Sequence, residues 1–579
     1  MEKGSLMDEV FTTIGWWGRY QKTQFLMCML PVLACASHVL SVIFIGRDVP
    51  HKCAHIDSLN ISEDLLVGGA PYDVTVSPYS NVTVTYEACS VDVKNGSTII
   101  FTSGCINGHN YSESRDMSIV SQWDLVCEGE ALSDLSQTIL SLGQLSGALI
   151  CTSLADIYGR KPTYIVSHII LLCTAIALSF SPNYLVFIGL RFVLGFSQQG
   201  TGLVSNVLLV EMLPTKRRAL PSQVGSYMWS VSLLILCLCA YITKDAGWQY
   251  TQLLLAGLSG YVLVQWWIMD ESPRWLLANN NMAAVEAFVQ KASAMNKTDP
   301  DKALDLLRGK HLSKCTDSYH SGELTINEED CNQLANNGLL SAGTDMKTSD
   351  ENMRFTAFVK NRSVFLVTAV SCYMWFTDSL TYYGLIMTST SLTDDFYLGY
   401  FFNVLVELPA ALAFGLLINR IGRKKCTSVF HLIGGMSLLV SVVLNNASFA
   451  DDIPGKETIT FVISLIGKFG ISVAFAVLFQ YTPEIYPTNL RNTGFGISSM
   501  AARIGGMVAP YSRTFERHVP WGPGAVFTFL CLLVPVVGRF LPETHGHELP
   551  QTIADMDQWI KASGRKSKNK HITDPAESR

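Results

Sequence analysis

Charge is scarce in this chain: Asp, Glu, Lys and Arg supply 16% of 579 residues, against about 25% in an ordinary soluble protein. A basic excess is missing too. The 42 Lys and Arg face 48 Asp and Glu, a formal net charge of -6, which removes the electrostatic basis for a nucleic-acid partner. No Walker A loop, no G-x-S-x-G elbow and no H-E-x-x-H helix is present, so no enzyme is expected. His311, Cys315, His320 and Cys331 have loose spacing and read as solvated loop residues, with no metal expected. Residues 1–24 lack an apolar core followed by small residues, so no cleavable signal peptide is expected.

What is present is apolar length. Hydrophobic residues make up 49% of the chain and the mean hydropathy is +0.26. Runs of about 20 apolar residues, each enough to cross some 30 Å of hydrocarbon, recur over 25–46, 132–154, 163–181, 184–206, 221–243 and 247–269. They resume over 363–388, 396–418, 427–446, 458–481, 493–511 and 523–541. The expected fold is an all-α membrane protein with twelve transmembrane helices in two pseudo-symmetric six-helix bundles. The halves occupy 25–269 and 363–541, with a cytosolic N-terminus (1–24), a central cytosolic loop (270–362) and a cytosolic tail (542–579).

The polar stretch 47–131 is expected outside the cell. It carries sequons at Asn60, Asn81, Asn95 and Asn110, acceptors for glycosylation in a secretory compartment. Cys53, Cys89, Cys105 and Cys127 form an even set, so two disulfides are expected, with three pairings open. The short loops on the other side are basic. Arg160-Lys161, Lys216-Arg217-Arg218, Arg420 and Arg423-Lys424-Lys425 are joined by Lys561, Arg565, Lys566, Lys568 and Lys570 of the tail. The positive-inside rule makes that side cytosolic, with both termini.

An internal repeat sets the architecture. Glu211-Met212-Leu213-Pro214-Thr215-Lys216-Arg217-Arg218 returns as Glu484-Ile485-Tyr486-Pro487-Thr488-Asn489-Leu490-Arg491, position 484 answering 211 at an offset of 273. Asp156, Gly159 and Arg160 return as Asn419, Gly422 and Arg423 at an offset of 263, and Glu271-Ser272-Pro273 is echoed by Pro542-Glu543-Thr544 at 272 for the glutamates. Two parallel repeats place a substrate site between the halves at mid-membrane. Charged motifs at helix ends then serve as gates, through ion pairs and helix-dipole capping.

These residues resemble the major facilitator superfamily and, within it, the organic ion transporters of solute carrier family 22. The resemblance rests on Gln122-Trp123-Asp124-Leu125-Val126-Cys127, on Leu154-Ala155-Asp156 with Gly159-Arg160-Lys161, and on Arg191-Phe192 with Gly195. Glu271-Ser272-Pro273-Arg274-Trp275-Leu276, Tyr481 to Thr488 and Leu541-Pro542-Glu543-Thr544 complete it. Thr152, Ile157 and Asn419 depart from the pattern. Sugar porters share several of these motifs, but span 7 here reads Trp375-Phe376-Thr377-Asp378 with Tyr382-Tyr383-Gly384, without a glutamine-rich sugar signature. The family implies a plasma-membrane, multi-pass carrier working as a monomer by alternating access. With no ATP motif, a co-transported or exchanged ion (sodium, proton or an organic counter-ion) supplies the energy, and no other cofactor is expected.

Ionisable groups inside a span are costly, about 2.5–3.5 kcal/mol each, and mark functional sites by default. His38, Asp378, Glu407 and Arg503 meet that test. By resemblance Arg503 is typical of the anion and carnitine-type branches, and Glu407 of cation and zwitterion carriers. An acid and an arginine in one cavity suit a quaternary-ammonium carboxylate. Trp375, Phe376, Tyr382 and Tyr383 offer cation–π walls, and Gln198 and Gln199 a polar lining. Carnitine-type zwitterions or cations are therefore the expected substrates, with organic anions as the alternative.

Overall fold

The computed structural model describes residues 2–54, 82–95, 98–217, 220–308, 358, 360–388, 395–446, 454–487, 490–546, 550 and 553–559. Asn60, Asn81, Arg218, Thr488, the cysteines and histidines between 309 and 357, and the basic tail lie outside the described residues.

Among the described residues, nine helical stretches are long and apolar enough to cross a membrane. They are span 1 (Arg19–Ile45), span 2 (Glu130–Tyr158), span 3 (Arg160–Ser179), span 5 (Leu220–Ile242), span 7 (Arg362–Thr388), span 8 (Phe396–Ile421), span 9 (Arg423–Asn446), span 10 (Lys456–Ile485) and span 12 (Gly522–Val537). Span 4 is the helix Tyr184–Glu211. Span 6 is broken into Trp248–Gly257 and Val262–Ile268, with Gly257 and Gly260 at the break. Span 11 is Arg491–Val508, continued by Tyr511–His518, and is the most polar crossing. Several helices outrun the apolar windows. Span 10, for example, continues past 481 to Ile485 through Pro483, because a helix can extend into the interface where its last carbonyls meet water.

Spans 3 and 9 each begin directly after a glycine at positive φ, Gly159 (104°) and Gly422 (93°). This left-handed turn lets one long helix end and the next start within a single residue. The repeat is thus visible in the backbone as well as in the motifs.

The segment between spans 1 and 2 adds strands to the all-α expectation. β1 (His51–Cys53) pairs antiparallel with β5 (His109–Tyr111), and β2 (Val82–Tyr86), β3 (Val91–Asn95) and β4 (Thr98–Ser103) form a three-stranded antiparallel sheet. Alternation such as Val82-Thr83-Val84-Thr85-Tyr86 favours strand over helix. Two disulfides, Cys53–Cys105 and Cys89–Cys127, select one of the three possible pairings, with Cα separations of 4.9 and 5.6 Å. Asn110 is exposed on β5, and Asn95 ends β3.

On the opposite, basic face the N-terminal residues fold as well. The helix Glu2–Thr13 buries Leu6, Met7, Val10 and Phe11 against Val285, Phe288 and Val289 of the helix Met282–Asn296. Asn296 ties the two together, donating to Ile14 O at 2.9 Å and Gln21 Oε1 at 2.7 Å and accepting from Tyr20 N at 3.0 Å.

Candidate functional site

A cavity of about 340 Å³ lies between the halves, walled by residues of spans 1, 2, 4 and 5 on one side and spans 7, 8, 10 and 11 on the other. Its lining extends toward the basic face, to Cys28 and Met29 of span 1 and Pro221 and Ser222 of span 5. Toward the strand-bearing face the halves are joined. Arg517 pairs with both Asp48 and Glu130, Thr514 donates to Asp134 at 2.6 Å, and Thr138 donates to Met507 O at 2.9 Å. Phe44 packs against Phe396, Tyr397 and Tyr400, with the Tyr400 ring 4.7 Å away. The halves are thus closed against each other at the strand-bearing face, and the cavity reaches toward the basic one.

The charged side chains among the described cavity-lining residues are Glu407 and Arg503. Their surroundings differ. Glu407 Oε1 is 3.1 Å from Lys468 Nζ and accepts from the Tyr382 hydroxyl at 2.6 Å, while Oε2 accepts from Ser230 at 3.4 Å. Trp229 Nε1 donates to the same Tyr382 hydroxyl at 2.8 Å, carrying the network across the halves. Among the described residues Arg503 has one long bond, Nη2 to Gln199 Oε1 at 3.4 Å, and its buried Nε has no partner. Its guanidinium faces the cavity beside Tyr383 with donor capacity unspent, as a carboxylate-binding group requires.

Several expected site residues stand elsewhere. Asp378 is fully buried against span 9, its Oδ1 2.9 Å from His431 Nε2, and does not line the cavity. His431 Nδ1 lies 2.8 Å from Thr427 O. A carbonyl only accepts, so Nδ1 carries hydrogen. Asp378 lies one helical turn before Tyr382, near the same helix face, yet it meets His431 of span 9 in its own half instead of the cavity. Trp375 is buried among Phe475, Phe479 and Phe495 and donates to Thr482 at 2.8 Å. It is packing, away from the cavity. His38 is likewise off the cavity, fully buried near Gln252 at 3.4 Å. Gln198 does line the cavity, but its amide is committed to Cys35 O at 2.7 Å and Gln144 at 2.6 Å. Lys468, His431 and Trp229 were not singled out from sequence, whereas Gln199 lines the cavity as expected. Lys468 and His431 carry the same signal as Glu407, an ionisable group inside an apolar span.

The gating motifs gather on the basic face as two similar clusters. Glu271 accepts the backbone N–H of Arg160 and Lys161 at 3.0 and 3.1 Å, capping span 3. Glu543 accepts that of Arg423 at 2.8 Å, capping span 9. Arg160 pairs with Asp156 at 2.9 Å and Glu211 at 3.1 Å, and Arg423 grips Glu484 bidentately at 3.0 and 3.2 Å. Where Asn419 stands in place of an acid, His545 meets Arg423 at 2.8 Å. Burial pushes the Glu271 carboxyl above its ordinary value, against the N–H donors of Ser272, Lys161 and Arg160. Arg274 reaches out of its repeat to Asp8 at 2.6 Å. Arg491 makes a long bond to Tyr486 O at 3.5 Å. Arg191 is not in these clusters. It is buried within the first half, donating to Gln137 at 2.7 Å and Ser41 at 3.3 Å.

Two repeated helical halves around one central cavity, with matching charge clusters on one face, are the architecture of a membrane carrier. The family model of the Major Facilitator Superfamily matches residues 130–510. Among solved structures, the partially occluded inward-open xylose transporter of E. coli shares the fold, at TM-score 0.57 and 13% identity over 92% of this chain and 100% of that one. Closer in sequence are solute carrier family 22 member 6-B of Xenopus laevis, 30% identical over 95% of this chain and 94% of the relative, and member 3 of Mus musculus, 30% identical over 81% and 78%. The chain belongs to solute carrier family 22 of the major facilitator superfamily. It is a transporter of small organic ions and not an enzyme.

Proposed function

We propose that the chain carries small organic anions across the plasma membrane by alternating access, as a monomer, with Arg503 binding the substrate carboxylate. The observation that supports this reading is the pairing of charges. Glu407 has its counter-ion in Lys468 at 3.1 Å and Asp378 sits with His431 at 2.9 Å, whereas Arg503 lines the cavity with no ion pair among the described residues. With Lys468 counted behind the wall, Glu407, Lys468 and Arg503 together carry one net positive charge, and a desolvated positive charge asks for an anion. The same imbalance favours exchange over return of the empty carrier. Rocking with a bare guanidinium costs more than rocking with a neutralised one, so an organic counter-anion is the preferred coupling partner over sodium or a proton.

In this reading the basic face and both termini are cytosolic, the strand-bearing segment is extracellular and glycosylated, and the conformation is inward-facing. A second reading, a carnitine-type zwitterion, draws on Glu407 itself. It lies in the wall beside Trp229, Tyr382 and Phe475, an acid with aromatic neighbours suited to an ammonium head.

Uptake by cells expressing the chain, set against vector controls, tests both with labelled benzoate, carnitine and tetraethylammonium. Saturable benzoate uptake that falls at least about tenfold in Arg503→Lys, whose ammonium lacks the bidentate fork, supports the anion reading. Carnitine uptake without benzoate uptake replaces it with the zwitterion.

A further inference from the structure

The charge of the cavity is governed from outside it. Lys468 lies in span 10 with no exposed surface and does not line the cavity. Its ammonium is 3.1 Å from Glu407 Oε1, 3.5 Å from Tyr382 O, and 3.2 Å from the centre of the Tyr382 ring. We infer that Lys468 is the built-in counter-ion that makes this an anion site, a positioning residue that sets charge selectivity through Glu407. The inference rests on the reading of Arg503 as the carboxylate-binding group.

The donors and acceptors account for the arrangement. An ammonium has three hydrogens to place and no way to shed its charge cheaply in an apolar span. Glu407, the Tyr382 carbonyl and the Tyr382 ring face receive them. For its part, Glu407, a cavity-lining residue, spends Oε1 on Lys468 and the Tyr382 hydroxyl, and among the described residues Oε2 takes a 3.4 Å bond from Ser230. The carboxylate therefore faces the substrate space, while its charge is cancelled from behind. Without the ammonium, the same carboxylate would share the wall with Arg503 uncompensated, and the net charge of the three residues would fall from one positive to zero. An arriving anion would meet an acid, and an arriving cation a free one.

The aromatic neighbours fix the geometry. Tyr382 is clamped by Trp229 from the other half, by Glu407 and by the Lys468 cation beneath its ring, so Glu407 has little freedom to swing away from the ammonium. A lysine at this depth thus does for Glu407 what a bound cation would do.

The test uses the full chain in lipid nanodiscs and measures binding of benzoate and tetraethylammonium calorimetrically. In Lys468→Gln, benzoate affinity should fall and tetraethylammonium affinity should rise, each about tenfold. Lys468→Arg should keep the wild-type preference. Lys468→Gln/Glu407→Gln removes the pair without leaving a buried charge, guarding against a single variant that does not fold, and should also retain the preference for benzoate. A Lys468→Gln protein with the wild-type preference, or a double variant that loses it, overturns the inference. Equal benzoate binding by wild type and Arg503→Gln instead defeats the reading of Arg503 and leaves the Lys468 result to be judged on tetraethylammonium alone.

Discussion

Gly159 and Glu271 are in such close register that a Cβ on the glycine would stand 2.4 Å from Glu271 Oε2, and Gly422 and Glu543 repeat this at 2.7 Å. Both glycines hold positive φ, and both carboxylates cap the helix that follows. Gly159→Ala should therefore meet strain and collision at once, destabilising the fold by roughly 1–3 kcal/mol and lowering transport. A thermal melt of the purified variant in detergent checks it. An unchanged melting point would mean the cap has room that this geometry denies.

The Asp378–His431 pair predicts strong non-additivity. Both side chains are fully buried and 2.9 Å apart, so Asp378→Asn or His431→Gln alone leaves an unbalanced polar group, at a cost of about 3–5 kcal/mol. The double variant, neutral on both sides, should recover most of that loss. Melting curves for all four proteins give the coupling directly. Additive losses would show that the two residues act separately.

The disulfide pairing is equally open to measurement. Non-reducing peptide mapping should yield the Cys53–Cys105 and Cys89–Cys127 peptides. The latter closes a loop of 38 residues in sequence separation, and its loss should destabilise the strand-bearing segment by about 2–4 kcal/mol. Protease sensitivity of that segment in Cys89→Ser is the readout, and resistance equal to wild type would count against it.

Asp8 makes docking of the N-terminal helix pH-dependent. Burial works to raise its carboxyl, but hydrogen bonds from Thr215 and Arg274 outweigh this and hold it below its ordinary value of 3.8. With the folded value depressed, the stabilisation is complete above 3.8 and is lost as pH falls through the lower folded value. Asp8→Asn should remove both the contribution and its acid dependence. Hydrogen exchange over 2–13 at falling pH tests this, and parallel profiles for wild type and variant would refute it.

Much of this molecule is legible in the chain alone. Apolar runs locate most of the crossings, since length and hydropathy are local properties that the bilayer reads directly. The paired motifs at Glu211 and Glu484, Gly159 and Gly422, and Glu271 and Glu543 disclose the duplication, and the structure shows why those residue types recur, in capping and pairing on one face. Arg503 and Glu407 are recognisable as ionisable groups inside apolar spans.

What the sequence does not contain is which charge faces which. Asp378 and Tyr382 differ by one helical turn, yet one is sequestered against His431 of span 9 and the other reaches the cavity. Lys468 is 61 residues from Glu407 in the chain but 3.1 Å away in the fold, and that distance turns an acid expected to attract cations into a compensated one. The choice among three cysteine pairings is of the same kind. Composition and periodicity determine the helices because each helix satisfies its own backbone. Net charge at a site depends on contacts between helices remote in sequence, and only tertiary packing decides it.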